Sequence, residues 1–283
     1  MKNTTPKKHM KNLLLTILTV VLSQILFAQE VKYKTIQQIH YYHDTVNQSD
    51  AYINSRCFLD LYYPTTIKKY ATIVWFHGGG LTAGNKEIPA ELQNKNMAVV
   101  GVGYRLYPMV KAPEYIKDAA AAVAWVFTNI ERFGGDSSAI FIAGYSAGGY
   151  LTNMIGLDKR WLQKHAIDAN RLAGIISLSG QAITHFSVRN EMGIPETRPL
   201  VDSLAPLFHV RADAPPLLLI TGDRELELLG RYEENAYLMR MMKLSGHNQT
   251  VLYELDGYDH GMTYPAFPLL IKQVQKIMDK KNK

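Results

Sequence analysis

An isoleucine-rich apolar run at residues 139–143 stops at Gly144, and Ser146 follows between Gly144 and Gly148 in a Gly-x-Ser-x-Gly pattern. Residues 147–157 are small and apolar and predict a helix. A strand that turns sharply into a helix forces the middle residue into a strained backbone conformation and holds its side chain out at the turn. Glycine is needed at 144 and 148 because a Cβ at either place would collide with the crossing backbone. Ser146 is therefore a candidate nucleophile, placed where a substrate carbonyl can reach it.

Strand-like and helix-like segments alternate on both sides of this turn. Strands are predicted at 57–63, 71–77, 97–104, 139–145, 172–179, 216–221 and 250–256, with a weaker one at 35–43. Thr72-Ile73-Val74-Trp75-Phe76 and Leu217-Leu218-Leu219-Ile220 are continuously apolar, the pattern of strands covered on both faces in a parallel sheet. Helices are predicted at 113–132, 227–245 and 265–281. Pro113 suits a first helical turn, and Gly134-Gly135 suits a helix end. The alternation predicts an α/β sandwich of one domain with helices on both faces of the sheet. Residues 182–210 break the rhythm and carry Pro195, Pro199 and Pro206. Loops at the carboxyl ends of strands line the ligand crevice of an open α/β sheet, so this insertion is a candidate lid.

The N-terminus is expected to lie outside that domain. Lys2, Lys7, Lys8 and Lys11 precede an apolar run at 13–27 that ends at Ala28, the pattern of a secretory signal peptide spanning 1–28. Its cleavage predicts a periplasmic or extracellular protein with no membrane anchor left. The formal charge of +6 falls to +2 once those four lysines go, and no cluster of lysine or arginine remains to mark a nucleic-acid partner. The one cysteine, Cys57, rules out an intrachain disulfide and is expected to be a buried small side chain. No metal-ligand spacing is present, and no cofactor is expected.

Chemistry concentrates at the ends of three predicted strands. His77-Gly78-Gly79-Gly80 follows Phe76, and a glycine run can turn its amides into a shared pocket for the oxyanion that forms during attack on a carbonyl. The amides of Gly79, Gly80 and Ala147 are the expected donors, with His77 a structural hydrogen-bonder. His260, in Asp256-Gly257-Tyr258-Asp259-His260-Gly261 after the last strand, is free to swing toward the serine as general base and later general acid. A carboxylate must fix its tautomer, and Thr221-Gly222-Asp223-Arg224-Glu225 offers both Asp223 and Glu225. Arg105 and Asp118 are expected to pair structurally beneath the site.

These motifs resemble the α/β-hydrolase fold, and within it the esterases and lipases with an HGGG motif, both hormone-sensitive-lipase-like and carbohydrate-esterase-like. Leu59-Asp60-Leu61-Tyr62, Tyr104-Arg105-Leu106-Tyr107-Pro108 and Phe133-Gly134-Gly135-Asp136 are similar as well, so the likeness runs from residue 57 to about 275. It implies a three-layer sandwich around a mostly parallel eight-stranded sheet, and hydrolysis of a small-molecule or glycan ester through an acyl-serine. It also implies a triad acid at the third residue after the turn glycine, which favours Glu225 and leaves Asp223 to cap backbone amides. Leu-Tyr-Pro replaces the Leu-Ala-Pro-Glu of the lipase-like branch, and no large helical cap precedes Cys57. Both departures point to the smaller esterases that remove acetyl or feruloyl groups from polysaccharides. The competing readings are an amide hydrolase resembling kynurenine formamidase and a non-catalytic binding domain of the same fold.

Overall fold

The computed structural model describes residues 30–281, so the expected signal peptide lies outside the described residues. Eight strands form one sheet: β1 (Tyr33–His40), β2 (Phe58–Pro64), β3 (Tyr70–Phe76), β4 (Ala98–Val102), β5 (Gly135–Tyr145), β6 (Gly174–Leu178), β7 (Leu217–Gly222) and β8 (Thr250–Leu255). Their order is β1-β2-β4-β3-β5-β6-β7-β8. β1 and β2 pair antiparallel, as do β2 and β4, and every other pairing is parallel. This is the mostly parallel eight-stranded sheet expected.

Alternating residues of the central strands feed two separate cores. Val74 and Phe76 of β3 join Val100 and Val102 of β4 and Ile140 and Ile142 of β5 on one face. The helices Glu114–Phe133, Ala147–Leu157 and Arg231–Leu244 cover that face through residues such as Ile116, Leu151 and Leu238. Ile73, Trp75, Val99 and Phe141 point the other way and meet Ala266, Phe267, Leu270 and Val274 of the helix Thr263–Lys281. Burial on both faces is why these strands are continuously apolar rather than alternating.

Every parallel strand ends at the same edge of the sheet. There β3 runs into His77, β5 into Ser146, β6 into Ser179, β7 into Asp223 and β8 into the loop that carries His260. The insertion at 182–210 holds a short helix, Phe186–Glu191, and one 3-10 turn, Pro206–His209. Thr184 Oγ1 donates to Asp202 Oδ1 at 2.7 Å, and Arg189 donates to the carbonyls of Thr184 and Glu196. Internal bonds of this kind close the insertion on itself.

Two boundaries differ from expectation by four residues, for local reasons. β5 begins at Gly135, four residues early, because Gly135 pairs with Tyr70 across a register shift. The helix expected from 227 begins at Arg231, because Leu226 and Glu227 donate instead to the carbonyl of Asp223 in a turn.

Candidate active site

Ser146 sits at φ 54°, ψ −115° between β5 and its helix, a conformation side chains rarely adopt. The turn is tight on both sides. A Cβ on Gly144 would lie 2.4 Å from the Gly148 carbonyl carbon, and one on Gly148 would lie 2.0 Å from the Phe76 carbonyl oxygen. The Ser146 amide donates to Leu178 O at 2.8 Å, and the Ser146 carbonyl accepts from Tyr150 in the helix. The serine is thus fixed by the neighbouring strand and by its own helix.

His260 reaches that serine from the loop after β8. Its Nε2 is 2.9 Å from Ser146 Oγ, and its Nδ1 is 2.6 Å from Glu227 Oε1. Tyr145 donates to the His260 carbonyl at 2.8 Å and holds the loop down. A carboxylate only accepts, so Nδ1 carries the proton, and the unprotonated Nε2 accepts the Ser146 hydroxyl. Ser146 is 7% exposed, and the Glu227 side chain is buried while that of His260 keeps a partial opening to solvent. Burial pushes the Glu227 carboxyl upward, but hydrogen bonds from His260 and Ser179 outweigh it and hold the group below the ordinary glutamate value.

The acid is neither of the two expected. Glu225 is exposed, and Asp223 turns back to accept from the amides of Glu225 at 2.9 Å and Gly257 at 2.9 Å. Arg224, between them, is bound to Glu254. The Asp223 carbonyl accepts from Leu226 and Glu227, adding a turn after the strand, so the inward-facing position falls at 227 rather than 225. Asp223 does cap amides as expected. Spacing from the glycine missed the acid; a glutamate set among Leu226, Leu228 and Leu229 was the available signal.

The glycine loop is fixed by its carbonyls. Gly79 O accepts from Thr82 and Ala83, Gly80 O accepts from Ser187 Oγ, and Gly79 holds φ 113°. Among the described residues, the amides of Gly79, Gly80 and Ala147 have no backbone or side-chain acceptor. His77 is buried and stacks on Tyr104 at 4.3 Å between centroids, with Nδ1 donating to Gly78 O at 2.6 Å. It is a structural residue, as expected.

Arg105 also takes its expected place, donating from Nε and Nη2 to the fully buried Asp118 at 2.9 and 2.8 Å. Cys57 is fully buried, and burial pushes its thiol up. Two further residues support the acid, one directly and one through its neighbour, and escaped sequence reasoning. Ser179 touches both Glu227 and His260, and buried Arg231 donates to the Ser179 carbonyl. Neither lies in a recognisable motif.

The BD-FAE family model matches residues 59–228, a span that holds Ser146 and Glu227 and stops before His260. Esterase LipC of Mycobacterium tuberculosis is 27% identical over 71% of this chain and 56% of its own length. Carboxylesterase 1E of Rattus norvegicus is 28% identical over 77% of this chain and 37% of its own. The chain therefore spans about half or less of the length of these curated relatives. Among solved structures, a truncated carbohydrate esterase from gut microbiota superposes with a TM-score of 0.69 at 19% identity, covering 88% of this chain and 98% of the other. Esterase B from Lactobacillus rhamnosis gives 0.69 at 18% identity, covering 96% and 97%. At such identities these likenesses speak to the fold.

Proposed function

This chain belongs to the BD-FAE family, and on that footing we propose that it is an exported serine esterase that cleaves short-chain carboxylic esters, acetyl or feruloyl esters of carbohydrates among them. The observation that carries the reading is the continuous bond path from Ser146 Oγ through His260 to the Glu227 carboxylate. Attack by Ser146 on the ester carbonyl passes its proton to Nε2, and Glu227 stabilises the imidazolium that forms. The free amides of Gly79, Gly80 and Ala147 are the donors for the oxyanion. The imidazolium then protonates the departing alcohol, leaving an acyl-serine. Water, activated by the same Nε2, releases the acid.

Export is read from residues 1–28, whose lysines, apolar run and Ala28 suit cleavage and release. A carbohydrate ester suits an exported enzyme and matches what the gut-microbiota structure is called. Short acyl groups suit an insertion that offers only a six-residue helix and a 3-10 turn to cover the site, with the Phe186 ring standing against Gly80.

The test is turnover of p-nitrophenyl esters from acetate to decanoate, and of acetylated and feruloylated oligosaccharides, by wild type and Ser146→Ala. Acetate to butyrate should outrun decanoate in a graded series, since each methylene changes pocket binding by about 1 kcal/mol or more. Ser146→Ala should lose roughly four to six orders of magnitude in kcat. A tenth of wild-type turnover surviving in that variant removes Ser146 from the mechanism, and faster decanoate turnover removes the short-chain preference.

A further inference from the structure

Ser179 is the first residue after β6, fully buried, and held at φ 49°. Glycine takes that conformation without a Cβ penalty, whereas serine pays for it in strain. Its main chain is locked nonetheless: the amide donates to Ile220 O at 2.7 Å, and the carbonyl accepts from Arg231 Nη1. The hydroxyl donates to Glu227 Oε2 and lies 3.0 Å from His260 Nδ1. Its one proton goes to the carboxylate, so a lone pair faces the Nδ1–H.

The acid needs such a second hold. Glutamate has one more rotatable bond than aspartate, and its terminal torsion is broad rather than staggered. Oε1 is engaged by Nδ1–H and by the Leu228 amide at 3.2 Å. Oε2 is fixed by the Ser179 hydroxyl. Strain concentrated beside a functional group is the expected mark of a residue kept for its side chain.

We infer that Ser179 is a positioning residue, whose hydroxyl clamps the free oxygen of Glu227 and keeps the carboxylate aligned on His260. This rests on the esterase reading above. Arg231 is the outer support, because it pins the carbonyl of a backbone conformation that serine does not favour.

The experiment compares wild type with Ser179→Gly and Ser179→Ala in the full-length protein. Glycine suits φ 49°, so Ser179→Gly should melt at or above the wild-type temperature while lacking only the hydroxyl and Cβ. Both variants should lose about tenfold in kcat with KM unchanged within twofold. The far-downfield proton NMR resonance of the His260 Nδ1–H should shift or broaden in the same variants. Wild-type kcat in a folded Ser179→Gly protein overturns the inference, and so does an unchanged Nδ1–H resonance. A matched rise in KM also overturns it, because a loosened site rather than a misaligned acid would then be at fault. Absence of ester turnover in wild type brings down the esterase reading instead, and the resonance alone then decides whether Ser179 holds the acid on the imidazole.

Discussion

Glu227 reaches His260 because Asp223 spends its own groups elsewhere. Its carboxylate accepts from the amides of Glu225 and Gly257, and its carbonyl closes a turn onto Leu226 and Glu227. The acid is thus delivered five residues after Gly222, and three single substitutions separate the candidates. Glu227→Gln should lose about four orders of magnitude in kcat, because an amide beside Nδ1 favours the wrong tautomer of the imidazole. Glu225→Gln should leave kcat within about threefold, since an exposed side chain off the bond path adds little to the transition state. Asp223→Asn should also keep its turnover, with a small fall in melting temperature from the weakened turn. Steady-state kinetics on the three variants check the assignment, and loss of turnover in Asp223→Asn alone overturns it. The meeting of Ser146 with His260 was legible in the sequence, because Ser146 follows an apolar strand directly between two glycines and His260 sits in a glycine-flanked loop past the last strand. Glu227 was not, because its place depends on which backbone amides Asp223 happens to cap. Ser179 was hidden for a similar reason: a lone serine after a strand carries no pattern until the strand order brings it beside β7.

The central strands were legible because both faces of the sheet are covered there, which leaves long apolar runs with sharp polar ends. What periodicity could not supply was the polar start of β5, where Gly135 pairs with Tyr70, or the delayed start of the helix at Arg231. Nor could it show how the proline-bearing insertion docks. Ser187, at the head of its short helix, donates to Gly80 O, and the Phe186 ring lies against the same glycine, 3.1 Å from where its Cβ would be. The insertion therefore braces the glycine loop. Ser187→Ala leaves a half-buried carbonyl without that donor and should cost about 1 kcal/mol of stability. If Gly79 and Gly80 serve the oxyanion, the same variant should lower kcat several-fold at nearly constant KM, since the bracing matters most where charge develops. Urea unfolding and steady-state kinetics measure the two effects. Wild-type kcat beside the lost stability would confine Ser187 to folding.

Across the whole molecule, three histidines are folded into the interior as neutral side chains, and together they make stability depend on pH. His77, His185 and His247 are each no more than 3% exposed, and burial lowers the affinity of all three for a proton. His77 is the clearest case. Its Nδ1–H is given to Gly78 O, its Nε2 is buried without a partner, and burial brings its pKa down to about 4 against the modest upward pull of the Gly78 carbonyl. Above the ordinary imidazole value of about 6.5, folded and unfolded chains bind no proton here, and the ring leaves stability independent of pH. Below it the unfolded chain takes a proton that the folded chain refuses, so stability falls with pH until the folded ring titrates near 4. Across that window His77 alone should remove about 3 kcal/mol, of which about 2 kcal/mol is lost by pH 5. Glu227 acts in a lower window. Its folded value is depressed, so its stabilisation is complete above the ordinary carboxylate value and fades only as pH drops below it. Urea unfolding at steps from pH 7.5 to 4.5 should therefore show a decline that starts near 6.5. His77→Asn keeps a donor for Gly78 O and cannot titrate, though it gives up the stacking on Tyr104 and starts less stable. The slope rather than the starting value is the measure, and it should be shallower in the variant by close to one proton between about pH 6 and pH 5, and unchanged near pH 7.5. A slope equal to that of wild type would take His77 out of the pH response and leave it to His185 and His247.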